Sequence, residues 1–179
     1  KYIFPVPVGH RFPLGKYRQV KETLINYGIL SEDELFEPQL ATKDQILLAH
    51  TKDYFESFEN GSIEPSAMRK IGFPWSYELH LRSLASVGGA IESALEALKN
   101  GMAGNLAGGT HHAFAGHGEG FCVFNDFAVV INYLQKKNLA ERIAIVDLDV
   151  HQGNGNASLL TDNKDVFILD IQRKNNYPF

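Results

Sequence analysis

The sequence predicts an α/β domain in which helices cover a mainly parallel sheet. Two stretches, RIAIVDLDV (142–150) and DVFILDI (165–171), are almost continuously apolar and contain many β-branched residues, which is typical of strands buried on both faces. The stretch NDFAVVINYLQKK (125–137) carries its apolar residues at helical spacing. Strands that alternate with helices of this length indicate βαβ units and therefore a parallel sheet.

The residues that precede these strands are predicted to form several helices. KYRQVKETLINYG (16–28) has an apolar stripe and ends at a glycine, and TKDQILLAHTKDYFESFENG (42–61) predicts two short helices. The longest periodic segment covers 77–100 and ends at Gly101. The apolar faces consist of Val20, Leu24 and Ile25 in the first helix, and of Leu84, Val87, Ile91, Leu95 and Leu98 in the longest.

Glycine-containing stretches mark two further features. Gly88 and Gly89 lie inside the longest helix, where each costs about 1 kcal/mol relative to alanine, so we interpret the pair as a point of close packing. GNLAGG (104–109) is predicted to be a short strand that runs into a glycine turn. The helix that follows begins at Asn125 or Asp126, because either side chain can cap its first turn.

Composition and charge exclude several classes of function. Aspartate and glutamate outnumber lysine and arginine by 21 to 17, which argues against direct binding of nucleic acid. No apolar run approaches the roughly 18–20 residues of a membrane span, and no signal peptide is visible. The single cysteine, Cys122, cannot form an internal disulfide and suits a reducing compartment. We therefore expect a cytoplasmic protein without a membrane partner.

Polar residues collect where the first predicted strand ends. Asp147, Asp149 and His151 are spaced by two, so on an extended backbone their side chains point to the same side. Asp149 and His151 form a pair of ligands suited to a divalent ion. The alternative is a surface-facing strand end with solvated acids. The apolar run just before them favours the metal site, because buried charges need a cation or hydrogen-bond partners.

Two adjacent histidines, His111 and His112, follow a glycine pair. Successive side chains diverge, so the pair suits proton transfer better than joint metal binding, with a carboxylate or amide holding each tautomer. Asp147 and Asn154 are the candidates for these partners. A pair that merely caps a loop is the alternative. Since ligands bind beyond the carboxyl ends of parallel strands, we expect both polar clusters to share one pocket.

The glycine-rich loop after the histidines is predicted to approach a narrow substrate. Its alternating glycines allow close backbone contact, and Gly120 and Phe121 are predicted to line the substrate site, with Phe121 as an aromatic wall. His117, between glycines, is predicted to be exposed. Cys122 is predicted to be a small buried hydrophobe and not a nucleophile.

The two polar clusters carry a resemblance to a known family. GGTHHAFAGHGEGFCVFNDFAV (108–129) followed by IVDLDVHQGNG (145–155) closely resembles the histone deacetylase superfamily, which also includes acetylpolyamine amidohydrolases and acetoin-utilisation proteins. HRFPLGKY (10–17) and LLAHTKDYFESF (47–58) are similar to its N-terminal segments, and DVHQGNGN and ILDIQRKNNYPF are most similar to class IV and bacterial members. The resemblance implies a three-layer α/β/α fold of the arginase and deacetylase type, with residues 1–179 as the N-terminal portion of one domain.

The resemblance also implies roles for individual residues. Asp149 and His151 would be two of three metal ligands, usually to zinc, although Fe(II) also suits one histidine and two carboxylates. The implied general base is His112, and His111 would assist it. Asp147 would orient His111 and Asn154 would orient His112, with the amide leaving His112 less basic than an aspartate would. A structural potassium ion is implied at Asp147, Asp149, His151 and Asp170.

The implied reaction is metal-assisted hydrolysis of an acyl amide, in an acylated lysine or an acetylated polyamine. In the family, the third ligand (an aspartate) and the tyrosine that stabilises the oxyanion lie beyond the equivalent of Phe179. Tyr177 belongs to a different family segment and is not assigned that role. We therefore expect the 179-residue chain alone to be inactive or nearly so, and to self-associate through surface that truncation exposes.

Two alternatives differ from this interpretation. An arginase-type ureohydrolase needs a third acid two residues after the histidine to bridge a second metal, and the sequence has Gly153 there. A non-catalytic binding module could keep the deacetylase fold without its chemistry. The retained histidine pair favours the enzyme, because buried titratable clusters reduce stability, and the metal content of the full-length protein distinguishes the two.

Overall fold

The computed structural model describes residues 3–178. Its helices and strands follow one another along the chain in the order α1 (Lys16–Asn26), α2 (Lys43–Ile46), α3 (Lys52–Glu59), α4 (Pro65–Ile71), α5 (Tyr77–Asn100), α6 (Asp126–Lys136), β1 (Ile143–Asp147), α7 (Asn154–Leu160) and β2 (Val166–Asp170), with a short 3₁₀ helix at Glu32–Glu34.

The two strands form a parallel pair, with Ile143 opposite Val166 and Asp147 opposite Asp170. Helix α7 connects them, so β1, α7 and β2 make the βαβ unit that the sequence predicts. Helices together with a parallel sheet confirm the α/β class. The two carboxylates at the ends of the strands lie side by side, which fixes the edge of the sheet where the predicted site is located.

Helices α6 and α7 cover one face of the sheet. Ile145 is buried there against Ala128, Ile131 and Leu160. The opposite face is apolar and exposed: 60% of Val146 and 64% of Phe167 are accessible to solvent. The prediction of strands buried on both faces therefore holds for one face only within residues 3–178.

The helices follow their sequence signals closely. Helix α5 has the predicted bounds, and α1, α2 and α3 fall within the predicted stretches. The side chains of Thr42, Thr51, Ser76 and Asn125 each accept a hydrogen bond from a backbone N–H of the first turn of α2, α3, α5 and α6. Helix α5 ends at Gly101, whose φ of 86° is the left-handed conformation that favours glycine. Helix α1 differs from the expectation because it has no buried residue.

Residues 104–109 do not form the predicted strand. The Asn105 side chain donates to the Ser86 carbonyl of α5 at 2.9 Å and accepts from Ala107 N–H at 3.2 Å. Two backbone donors further along, the N–H groups of Gly109 and Thr110, bond to the carboxylate of Asp126 at 2.9 and 2.8 Å. These side chains take the hydrogen bonds that a strand would need for its ladder, so the segment stays irregular.

The glycine pair in α5 is a point of close packing, as predicted. A Cβ atom on Gly88 would collide with the Gln39 carbonyl oxygen, and one on Gly89 would lie 3.1 Å from the Asn105 side chain. The neighbours are therefore the segment before α2 and the irregular segment after α5. Ala41 N–H also donates to the Leu84 carbonyl, and this hydrogen bond holds the segment before α2 against α5.

The main core lies under the loop that follows the histidine pair. Phe55, Phe58 and Phe124 are almost fully buried, and the ring of Phe124 contacts the other two at 5.9 and 5.6 Å between centroids. Phe124 lies two residues before α6, so packing in the core also fixes one end of the glycine-rich loop. Within the described part of the chain, no helix is long and apolar enough to cross a membrane.

Candidate functional site

His111 and Asp147 form a buried pair at the end of β1. The Nδ1 atom of His111 lies 2.7 Å from Oδ2 of Asp147. Asp147 also accepts from Asp149 N–H through its other oxygen, at 3.0 Å. The structure thus brings together the first predicted imidazole–carboxylate pair, from segments 36 residues apart in sequence.

His112 meets Asn154 at the start of α7. Its Nδ1 atom lies 2.8 Å from Oδ1 of Asn154, and the same oxygen accepts from Gly155 N–H at 3.0 Å. Because an amide oxygen only accepts, His112 must carry its proton on Nδ1, which leaves Nε2 as a proton acceptor. Burial lowers the pKa of His112 below its ordinary value, although the bond to Asn154 opposes this shift.

Asp149 and His151 lie next to each other and are partly exposed. Oδ1 of Asp149 accepts from the backbone N–H of His151 at 2.8 Å and lies 2.9 Å from its Nδ1. Burial acts to raise the pKa of Asp149, but the hydrogen bonds from His151 and the nearby imidazoles outweigh it and lower that pKa. One oxygen and one ring nitrogen therefore converge, and both are ligand types that zinc accepts.

The side chains of His111, His112, Asp149 and His151 all line one cavity of about 620 Å³. The rings of His111 and His112 are 4.1 Å apart between centroids, and those of His112 and His151 are 6.0 Å apart. Nε2 of His111 lies 3.9 Å from Oδ1 of Asp149. The predicted shared pocket therefore exists in the fold. Among residues 3–178, no group of three or more His, Cys, Asp or Glu could hold a metal ion.

Gly120 and Phe121 line the same cavity. Gly120 has a φ of 58°, and a Cβ on it would lie 2.7 Å from Cδ2 of His112 and 3.0 Å from the Tyr177 ring. Only glycine fits between these two side chains. Phe121 also has a positive φ, of 67°, and its ring packs 5.1 Å from Phe73. The wall of the cavity is thus anchored in the aromatic core.

Asp170 ends β2 beside the site. Its Oδ2 accepts from Gly153 N–H at 2.7 Å, while its Oδ1 is buried and has no hydrogen-bond partner. A buried carboxylate oxygen without a partner is costly and suits a bound cation. The residues predicted for a potassium site therefore include an oxygen that such an ion would satisfy.

Sequence reasoning missed Glu119 at this site and gave Tyr177 no role there. Glu119 accepts a hydrogen bond from Nδ2 of Asn154 at 2.7 Å. The Tyr177 ring lies 5.0 Å from His112 and 6.0 Å from His151, and burial together with Glu119 raises the pKa of Tyr177 to about 12. Glu119 is the only Asp, Glu, Lys or Arg between residues 108 and 125, which was an available signal.

Two neighbouring predictions have different outcomes. Cys122 is buried, and burial raises the pKa of its thiol to about 12, as suits a small hydrophobe that does not act as a nucleophile. The expectation that His117 is exposed was wrong. It is half-buried, because its ring stacks on that of Phe114 at 4.6 Å and the two backbones form a short antiparallel bridge.

Fold and site together define an α/β domain with paired imidazoles and an acid–imidazole couple at the carboxyl ends of its strands. The family model for the histone deacetylase domain matches residues 10–179. The chain therefore belongs to the histone deacetylase family.

Similar proteins agree with this assignment. The chain is 43% identical over 177 residues to an uncharacterized protein of Picosynechococcus sp., covering 99% of the chain and 59% of that protein. It is 33% identical to histone deacetylase 2 of Arabidopsis thaliana (95% and 46% covered) and to acetoin utilization protein AcuC of Staphylococcus aureus (86% and 42%). The chain thus spans about half the length of these relatives.

Solved structures share the fold. An HDAC homolog complexed with SAHA superposes with a TM-score of 0.82 at 32% identity, covering 98% of the chain and 50% of that structure. The HD domain of HDA15 gives 0.81 at 22% identity, over 98% and 52%. At 22% identity, the similarity to the HD domain of HDA15 supports the fold alone.

Proposed function

We propose that this protein hydrolyses acyl amides with the help of a bound metal, acting on an acylated lysine or an acetylated polyamine. Membership of the histone deacetylase family supports hydrolysis of this general kind. The observation that carries the proposal is the convergence in one cavity of two imidazoles, each held through Nδ1, and the Asp149–His151 couple. The chain spans about half of its relatives, so the proposal concerns the full-length protein.

Asp149 and His151 are the residues that would hold the metal. Zinc is the first candidate and Fe(II) the second, since an oxygen and a nitrogen ligand suit either. When bound, such an ion polarises the acyl carbonyl and lowers the pKa of water toward about 7. A potassium ion is proposed at Asp147, Asp149, His151 and Asp170, and the unpartnered oxygen of Asp170 supports it.

His112 has the geometry of a general base. Its Nδ1 proton is held by Asn154, so Nε2 is the atom that takes a proton from the attacking water. His111 is held by Asp147 at 2.7 Å through Nδ1, and its Nε2 lies 3.9 Å from Oδ1 of Asp149. We propose that His111 assists His112, either electrostatically or by donating a proton to the departing amine.

The walls of the cavity suit a slender acyl-amine chain. Gly120 and Phe121 are proposed as substrate contacts, with the Tyr177 ring on the side of the cavity next to Gly120. Aromatic faces pack against methylene groups without hydrogen-bonding demands.

The buried thiol of Cys122 is compatible with the reducing cytoplasm that we propose as the location.

The geometry around Gly153 argues against the ureohydrolase alternative. A Cβ atom at this position would lie 2.8 Å from Oδ2 of Asp147 and 3.3 Å from Oδ2 of Asp170. An aspartate there, as a second metal would require, has no room and would meet two carboxylates.

The test uses the full-length protein, assayed on acetyl-lysine peptide and acetylated polyamine, with metal content measured by mass spectrometry. We expect near-stoichiometric metal and hydrolysis, and a loss of about 10²–10⁴-fold in kcat for His112→Ala. Full-length protein that lacks metal and hydrolyses neither substrate refutes the proposal and favours the binding module. The 179-residue chain alone is expected to be inactive or nearly so.

A further inference from the structure

We propose that Glu119 is a positioning residue, which fixes the orientation of the Asn154 amide and through it the tautomer of His112. The inference rests on the proposed function, in which His112 is the general base. It concerns a residue with no assigned role, in the turn between the histidine pair and the cavity wall.

The backbone of this turn is fixed independently of the side chain of Glu119. Cys122 N–H donates to the Glu119 carbonyl at 2.9 Å. Gly120 and Phe121 N–H donate to carbonyls at the end of α4, those of Lys70 and Ile71, at 3.1 and 2.7 Å. The carboxylate of Glu119 is thereby held at the start of α7, where it meets Asn154.

The contacts of Asn154 determine how its amide points. Its oxygen accepts from Gly155 N–H and from His112, and its nitrogen donates to Glu119 at 2.7 Å. A flipped amide would place its oxygen against the Glu119 carboxylate and its nitrogen against the N–H of Gly155. Both contacts are repulsive, so a charged acceptor at residue 119 leaves only one orientation.

This orientation has a consequence for the base. With the amide oxygen facing it, His112 must be protonated on Nδ1 and keeps Nε2 free to accept a proton. The amide of Asn154 is neutral, but the Glu119 carboxylate lies 2.7 Å from its nitrogen. A negative charge is therefore present close to the site, as it would be if residue 154 were an aspartate. Asn154 and Glu119 together thus supply an oriented acceptor and a negative charge.

Glu119 also acts on Tyr177. Burial and the charge of the nearby Glu119 carboxylate raise the pKa of Tyr177 to about 12. Gly120, the next residue, lies between the rings of His112 and Tyr177. Glu119 therefore accepts a hydrogen bond from the start of α7 and lies close to the C-terminal segment.

The experiment compares variants of the full-length protein by two measurements. ¹⁵N NMR of histidine-labelled protein, with and without zinc, reports the tautomer of His112, and kinetics on acetyl-lysine peptide report kcat and KM. Glu119→Ala removes both bond and charge, whereas Glu119→Gln keeps an oxygen that accepts from Asn154. Glu141→Ala, in an exposed position before β1, is the matched control, and circular dichroism verifies folding.

We expect E119A to give a mixture of His112 tautomers and a kcat lower by about 10- to 100-fold, with KM little changed. E119Q should keep the Nδ1–H tautomer with an intermediate kcat. Asn154→Asp alone should lower kcat, because two carboxylates 2.7 Å apart repel, and adding E119Q should restore part of it.

The inference is overturned if E119A leaves the tautomer and kcat as E141A does, or if the N154D/E119Q variant is no more active than N154D. The tautomer measurement does not require turnover. A wild-type protein without hydrolysis would therefore count against the proposed function, while the NMR result still decides the role of Glu119.

Discussion

Gly120 offers the sharpest test of the cavity wall, through its substitution by alanine. The backbone there is left-handed, with a φ of 58°, which costs a residue with a Cβ about 1–2 kcal/mol. The new methyl would also lie 2.7 Å from His112 and 3.0 Å from Tyr177, an overlap of the kind that costs about 1–3 kcal/mol. We expect the free energy of unfolding to fall by about 2–5 kcal/mol, which is the sum of the two effects.

Gly101→Ala is the matched control, measured with Gly120→Ala by urea denaturation of the full-length protein. Gly101 has a φ of 86°, but a Cβ on it would meet nothing within 4 Å. The control therefore carries the backbone cost alone, about 1–2 kcal/mol. If the free energy of unfolding fell equally in the two variants, Gly120 would not lie in close contact with the rings of His112 and Tyr177. The geometry described for this cavity wall would then be wrong.

Three further perturbations test other parts of the structure. Asp147→Asn removes the charge beside the first imidazole of the pair, and kcat on acetyl-lysine peptide should fall by about 10- to 100-fold while circular dichroism stays unchanged. Burial lowers the pKa of His50 to about 4, so the unfolded chain binds more protons between pH 4 and 6.5. The contribution of His50 to the free energy of unfolding should therefore be fully present above pH 6.5 and should fall by up to about 3 kcal/mol toward pH 4. In His50→Gln, the free energy of unfolding measured with urea should change less over this pH range. The 179-residue chain should self-associate through its exposed sheet face, and changing Val146 and Phe167 to glutamate should shift it toward monomer in light scattering, whereas unchanged association would place the contact elsewhere.

Local signals explain why the helices could be predicted. Thr42, Thr51, Ser76 and Asn125 cap the helices that follow them, and a cap involves residues only three apart in sequence. The location of Asp147 and Asn154 was also predictable, because ligands bind beyond the carboxyl end of a strand such as β1. The expected approach of His111 and His112 rested on a strand at 104–109, which the structure does not have, and on the resemblance of both motifs to the histone deacetylase family.

Contacts between distant segments explain what was missed. The segment 104–109 has the sequence pattern of a short strand, but the Asp126 carboxylate accepts hydrogen bonds from the N–H groups of Gly109, its last residue, and of Thr110. The role proposed for Glu119 depends on a partner 35 residues away and on the orientation of one amide, neither of which appears in a local pattern. Likewise, apolar residues in a strand do not indicate which of its faces a helix will cover.

The carboxylate of Asp126 has one more consequence. It is the first residue of α6, and it binds the backbone of Gly109 and both the N–H and the hydroxyl of Thr110, immediately before the histidine pair. The backbone just before the imidazoles is therefore held by the first residue of a helix. The N–H groups of Gly109 and Thr110 should therefore exchange slowly with deuterium, so that the backbone leading to the reacting groups is in place before any substrate arrives.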